Sequence, residues 1–335
     1  MNLQQRLVLL KRLGEYILSD HPMWKHAREK ACYENSWFIP EFIQFQVNHI
    51  ATEFLNPEKL HGWISPYNIP EVNPSPRDVG IVMAGNIPLA GFHDFLSTFI
   101  SGHRQSIKSS SKDTALITHL ANRLSEWDAE ASEYIQFADL LKGRDAYIAT
   151  GSNNSGRYFD YYFSKYPHII RRNRTSVAIL DGNETTAELE KLSDDVSLYF
   201  GLGCRSITKI FVPLEYDFLP LLESFKRYDY LSEHHKYKNN YDYQLAIMLI
   251  NKIRYMTNGS ILLRESTAPF SAVSQLHYEF YELRTEVEKR LRGNKDIQCV
   301  CGHGEIPFGD AQRPSLADYA DKADTLQFLL GLMKN

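Results

Sequence analysis

The chain is poor in the features that mark several large protein classes. Four of its 335 residues are cysteine, too few for a disulfide scaffold. No apolar run reaches the roughly 18 residues that a membrane-spanning helix needs. Charge of one sign is not in excess: 37 Lys and Arg face 41 Asp and Glu, for a net −4. That balance excludes a broadly basic nucleic-acid binder. There is no internal repeat, no low-complexity segment and no H-E-x-x-H, G-x-S-x-G or P-loop motif. What is abundant is apolar side chain, at 43% of the chain, with 20 Tyr and 18 Phe. This excludes disorder as the main state, and the length suggests about two domains.

The N-terminus carries Leu7, Leu10, Leu13, Ile17 and Leu18 at helical spacing with charges between them. That pattern predicts an amphipathic helix of a cytoplasmic protein, because a signal peptide needs an unbroken apolar stretch. Helices broken near Pro22 and Pro40 are expected up to residue 56. Five prolines between 57 and 78 predict an extended connector. From residue 79 short apolar runs alternate with amphipathic stretches. Strands are expected at Val79–Ala84, Ser106–Lys108, Ala146–Ala149, Val177–Leu180 and Thr208–Val212. Helices are expected at Pro88–Ile100, Thr114–Trp127, Glu184–Phe200 and across 215–257. Such alternation predicts an α/β fold with a largely parallel sheet.

Four segments carry candidate chemistry. In Gly80–Gly91 a strand runs into Gly85-Asn86, whose amide either caps a helix or polarises a carbonyl oxygen. In Ser106–Asp113 a strand ends at Lys108 before Ser109, Ser110 and Ser111, either a polar surface loop or a ribose- and phosphate-binding set. Thr150-Gly151-Ser152 stands between a strand and a helix, suited to a pyrophosphate. In Gly201–Pro213, Cys204 lies between Gly203 and Arg205, either a thiol whose neighbouring cation favours thiolate or a cysteine acting as a small hydrophobe. Cys299-Val-Cys301-Gly-His303 has no zinc spacing, and no metal is expected there. His234-His235 reads as a solvated helix face.

The order Asn86, Lys108, Thr150-Gly151-Ser152, Cys204 resembles the aldehyde dehydrogenase superfamily, as does the late Ile306-Pro307-Phe308-Gly309. Within it the chain is most similar to the LuxC-type acyl-CoA reductases. AGNIPLAGFHDF (84–95), SSSKD (109–113), GLGCRSITKIFVP (201–213), APFSAVSQLHYEFY (268–281) and IPFGDAQRPSLADYADKADTLQF (306–328) carry that likeness. The resemblance implies an aldehyde-dehydrogenase-like fold with two Rossmann-like lobes and the active site in a cleft between them. A nucleotide-binding lobe would span 1–170, and a cysteine lobe with the C-terminal segment 171–335.

The resemblance also implies roles. Cys204 would attack a fatty acyl-CoA thioester and expel CoA. Asn86 and the Cys204 N–H would stabilise the oxyanion, and NADPH, rather than NADH, would reduce the acyl-cysteine to an aldehyde. Lys108, Ser110, Thr150, Gly151, Ser152, Glu265 and Phe308 would hold the dinucleotide. The base position of hydrolytic relatives aligns with Ile170, so water would have no activating carboxylate. Arg171, Arg172 and Arg174 would meet a phosphate of CoA or NADPH, or form a solvated charge cluster. The stretch Tyr228–Tyr243 would line an acyl tunnel or a subunit contact. A homo-oligomer, acyl-transferring protein partners and no nucleic acid are expected. A reductase of the same superfamily acting on acyl phosphate or short acyl-CoA, and a non-catalytic CoA-binding protein, stand as alternatives.

Overall fold

The computed structural model describes residues 1–334. The chain forms two compact units, 1–173 with 315–335 and 174–314. The first begins with α1 (Leu3–Ile17), α2 (Pro22–Glu34) and α3 (Pro40–His49). The predicted extended connector instead opens with α4 (Pro57–Ile64). Asn56 caps it by accepting the Lys59 N–H at 3.1 Å, Pro57 takes the first helical position, and Leu60, Trp63 and Ile64 form its buried face. A proline at that position starts a helix, since its missing N–H would have had no partner there.

Then follow β1 (Asp78–Val82), α5 (Phe92–Ser101), β2 (Arg104–Lys108), α6 (Ala115–Trp127), β3 (Ile135–Phe137), β4 (Ala146–Thr150), α7 (Asn153–Phe163) and β5 (His168–Arg171). The strands are parallel in the order β3-β2-β1-β4-β5. Strand order reverses between β1 and β4, the place where open α/β sheets bind ligands beyond their carboxyl ends. Val79, Ile81, Ile107 and Ile148 are fully buried at the sheet's centre. Helix α5 does not start at Pro88 as the sequence suggests. Leu89 adopts a left-handed φ of 55°, so the chain turns and the helix begins after Gly91.

The second unit holds β6 (Thr175–Ile179), α8 (Thr186–Ser197), β7 (Ile207–Pro213), α9 (Leu219–Ser224), α10 (His235–Ile250), β8 (Met256–Thr257), β9 (Leu262–Glu265), β10 (Gln275–Tyr281), α11 (Arg284–Leu291) and β11 (Ile297–Gly302). Its sheet runs β11-β6-β7-β10-β9-β8, parallel except for the β8–β9 pair. Helix α8 packs Leu189, Leu192 and Val196 into the core beneath β6 and β7. The sequence division kept 171–335 in one lobe, but α12 (Thr325–Gly331) belongs to the first unit. Leu316, Leu326 and Leu329 are buried in that unit's core, and the His93 ring bonds the Leu316 carbonyl at 2.9 Å. Apolar burial decides the assignment, and sequence adjacency does not reveal it. No helix among the described residues is long and apolar enough to cross a membrane.

Candidate functional site

In the first unit the predicted residues converge on one edge. Val82 lies opposite Lys108 on one side and Ala149 on the other. The turns after β1, β2 and β4 therefore leave the sheet side by side, carrying Asn86, then Lys108 and Ser110, then Thr150, Gly151 and Ser152. Lys108 and Asn86 are exposed, and Ser110 and Thr150 half-buried. The Met83 N–H donates to the Lys108 carbonyl at 3.0 Å. A Cβ on Gly85 would stand 2.5 Å from Ser110 Oγ, so glycine is what allows the first two turns to touch. Ser152 caps α7, accepting the Ser155 N–H at 3.2 Å, and the Gly151 N–H donates to the Arg171 carbonyl at 3.2 Å.

Behind these turns sits a carboxylate, Asp113, to which sequence reasoning assigned no role in the site. Asp113 is 6% exposed. Its Oδ2 accepts the Leu89 N–H at 2.6 Å, while its Oδ1 is buried with no partner. Burial pushes the carboxyl up to about 7. It holds the left-handed Leu89 in place, and with it the loop that follows Asn86.

The three arginines do not act as one cluster. Arg171 is 4% exposed, pairs with Asp94 at 2.5 Å and donates to Thr325 Oγ1 at 2.7 Å. It is an internal strut of the first unit, unavailable to a phosphate. Arg172 is exposed and paired with Asp160, and Arg174 is half-buried. Ile170, which the sequence resemblance aligns with the base position of hydrolytic relatives, lies in β5 opposite Ala149.

In the second unit Cys204 lies on the turn entering β7, at the amino end of the strand. It is half-buried, whereas Cys299 and Cys301 are buried on β11. Contact with Cys299 and burial both push the Cys301 thiol up, and burial does the same to Cys32. The backbone before Cys204 is strained: Tyr199 and Phe200 both have a left-handed φ of 56°, and Gly201 continues the turn at 72°. Non-glycine residues there cost about 1–2 kcal/mol each and persist only where packing fixes them. The Phe200 ring is fixed against His234 and Tyr237, at 4.6 and 5.8 Å.

The turn itself is tied on every side. Ser176 Oγ on β6 donates to the Cys204 carbonyl at 3.1 Å. Ser206 Oγ accepts the Gly203 N–H and a Gln312 Nε2–H, both at 3.1 Å. Arg205 Nε donates to the Ala311 carbonyl. Asp195, an acid on the apolar face of α8, accepts the Gly309 N–H at 2.7 Å and the Ala311 N–H at 3.1 Å. Sequence reasoning missed Ser176, Asp195, Ser206 and Gln312. Only Asp195 left a trace, as a carboxylate within the stripe Leu192, Asp195, Val196.

The remaining predicted residues are dispersed. Phe308 is buried in the core of the second unit. Glu265 is exposed at the end of β9, in register with Tyr278. Of the aromatic stretch, Tyr237 lines a cleft with Phe200, Gly201, Ile207, Thr208 and Gln275; Gly201 and Ile207 flank Cys204 in sequence. Tyr230 and Tyr243 are exposed. His303, from the C-x-C-x-H run, contacts Asp181 at 2.8 Å and Glu188 at 2.9 Å, and the two carboxylates raise its ring to about 9. Among the described residues one group could hold a metal ion, Asp181, Glu184 and His303, with ligand atoms within 4.8 Å of one another.

No protein-family model matches the chain, and no curated protein matches it in sequence. Solved structures do match. Aldehyde dehydrogenase 21 from Physcomitrella patens, in complex with the reaction product succinate, is 11% identical, with a TM-score of 0.72 over 99% of this chain and 85% of that one. The aldehyde dehydrogenase KauB from Pseudomonas aeruginosa is 14% identical, with a TM-score of 0.65 over 90% and 72%. The indole-3-acetaldehyde dehydrogenase AldA from P. syringae, a mutant in complex with NAD+ and IAA, is 12% identical, with a TM-score of 0.64 over 90% and 72%. The chain has an aldehyde dehydrogenase-like fold.

Proposed function

We propose that the protein is an acyl-CoA reductase of the LuxC type, forming an aldehyde through an acyl-enzyme on Cys204. The observation that carries this reading is the contrast among the cysteines. Cys204 and Cys32 are both half-buried, but Cys32 lies within α2, whereas Cys204 stands on a tied turn that follows strained backbone. Such strain clusters at functional sites. The Cys204 thiolate attacks the thioester carbonyl carbon, and the carbon–sulfur bond to CoA breaks. CoA leaves as its thiolate and takes a proton. Thiolate suits both directions of the step, as a good nucleophile and a good leaving group. The Cys204 N–H and the Asn86 amide are the proposed oxyanion donors.

The residues of the first unit fit a dinucleotide by the chemistry of their donors. An ammonium on Lys108, hydroxyls on Ser110, Thr150 and Ser152, and the amino end of α7 meet along one sheet edge and match a ribose and phosphates. A reduced nicotinamide held there would supply a hydride. Adding hydride to the acyl-cysteine carbon and expelling the Cys204 thiolate yields the aldehyde. The preference for NADPH rests on the resemblance alone, because Arg171 is taken up by Asp94. Ile170 in place of a base supports a thioester that survives long enough to be reduced.

Intact-protein mass spectrometry tests the reading. On mixing with acyl-CoA and no nicotinamide, the wild type should gain the mass of the acyl group. Cys204→Ala should gain none, and NADPH should discharge the adduct. No adduct for any chain from acetyl to palmitoyl would overturn the proposal and direct the search to acyl phosphates.

A further inference from the structure

We propose that Asp195 is a positioning residue for the Cys204 thiol, acting through the segment Gly309–Gln312. The inference rests on Cys204 being the nucleophile. Three residues around that thiol depend on the segment: Arg205 donates to the Ala311 carbonyl, and Gln312 donates to Ser206 Oγ, which also accepts from Gly203. The segment is in turn held by Asp195, whose two carboxylate oxygens take the N–H groups of Gly309 and Ala311 and whose own carbonyl accepts from Gln312 at 3.4 Å. Gly309 sits at a φ of 91°, with the Lys191 side chain 3.1 Å from where a Cβ would be. A carboxylate accepts on both oxygens, whereas a carboxylic acid or an amide gives up part of that capacity. The state of Asp195 therefore decides whether both N–H groups stay bound and whether the Cys204 turn keeps its shape.

Asp195 is fully buried. Burial lifts its carboxyl to about 7 against the pull of the two N–H groups, and Cys299 adds to the lift. The ionisable groups around it are Cys299 and Cys301 on β11 and Asp194 beside it; Arg205 acts on Cys301 from the Cys204 turn. Proton uptake by Asp195 on falling pH weakens the grip on the segment.

The test needs no acyl substrate, so it stands apart from the acyl-CoA reading. The rate of iodoacetamide modification at Cys204 is followed by peptide mass spectrometry on the full chain from pH 6 to pH 9. In the wild type the log rate should fall more steeply below pH 7 than thiol protonation alone allows, with an extra drop of about tenfold between pH 8 and pH 6. Asp195→Asn should be at least about fivefold slower at pH 8 and show only the single thiol transition. Superimposable profiles, or a wild type with one transition, overturn the proposal. If Asp195→Asn does not fold, Gln312→Ala carries the test by cutting one of the two ties. It should at least halve the extra drop, and an unchanged profile overturns the proposal.

Discussion

Each unit presents chemistry at a sheet edge, and the two edges are built in opposite ways. In the first unit, Asn86, Lys108 and Ser110 stand at or just past the carboxyl ends of strands, Asn86 and Lys108 exposed and Ser110 half-buried. The sheet determines where they sit. In the second unit, Cys204 precedes a strand, and its turn is fastened by Ser176, Ser206, Arg205 and Gln312. Each edge also has one buried aspartate behind it, lifted to about 7. Asp195 is satisfied on both oxygens, Asp113 on one. An edge that binds a flexible ligand can leave its side chains mobile. An edge proposed to carry a nucleophile must hold it in place before the substrate arrives.

The largest effect expected would show that the open edge too rests on a rigid element. Arg171 holds Asp94 and Thr325 inside the first unit, and its carbonyl accepts the Gly151 N–H. Arg171→Met strands a buried carboxylate and should cost about 3–5 kcal/mol of stability, read from urea unfolding at neutral pH. A loss below about 1 kcal/mol would mean that the guanidinium is not structural, and would return it to the list of phosphate ligands.

The aspartates offer a sharper comparison. A carboxyl raised from 3.8 to about 7 in the folded chain binds its proton more tightly there than in the unfolded chain. Between about pH 4 and pH 7 the folded state therefore carries more protons, and stability falls as pH rises through that window. Above pH 7 the penalty, on the order of a few kcal/mol, is present in full. Asp113→Asn keeps an oxygen for the Leu89 N–H and removes the charge. It should be more stable than wild type at pH 8 and flatter between pH 5 and pH 8, whereas Asp195→Asn gains nothing because it orphans an N–H group. Equal urea midpoints for the Asp113 variant and wild type at pH 8 would refute the difference between the two sites.

Much of this architecture could be read from residue order. The alternation of apolar runs gave the parallel sheets, and the first unit's edge was legible because Gly85-Asn86, Lys108 and Gly151-Ser152 each stand at or just past the end of a strand. Local chemistry marks such turns. The ties around Cys204 were not legible. Gly309, Ala311 and Gln312 lie more than a hundred residues from Asp195, and no local pattern links a serine on β6 to a cysteine carbonyl. Arg171 misled for the same reason: three arginines in four positions look like a phosphate contact or a solvated patch until Asp94 is folded against one of them. Pro57 and Pro88 misled in opposite senses, because proline both starts and breaks helices and only capping geometry decides.

The smallest stability effect should come from Lys108, where the comparison predicts a separation of binding from folding. Its side chain is exposed at the end of β2. The strand keeps its place through the backbone, since the Lys108 carbonyl, not the ammonium, binds Met83. Lys108→Met should shift stability by less than about 0.5 kcal/mol. Losing a cation from a phosphate- or ribose-binding set should weaken dinucleotide binding by about tenfold, the equivalent of one charge-assisted bond. Titration of the full chain with NADPH and with NADH, followed by fluorescence, measures the binding, and thermal melting measures the stability. Weaker binding at unchanged melting temperature would set this edge apart from the Cys204 turn, where Asp195 links function to structure. Unchanged binding of both dinucleotides would remove Lys108 from the cofactor set and leave the hydroxyls and the amino end of α7 to account for it.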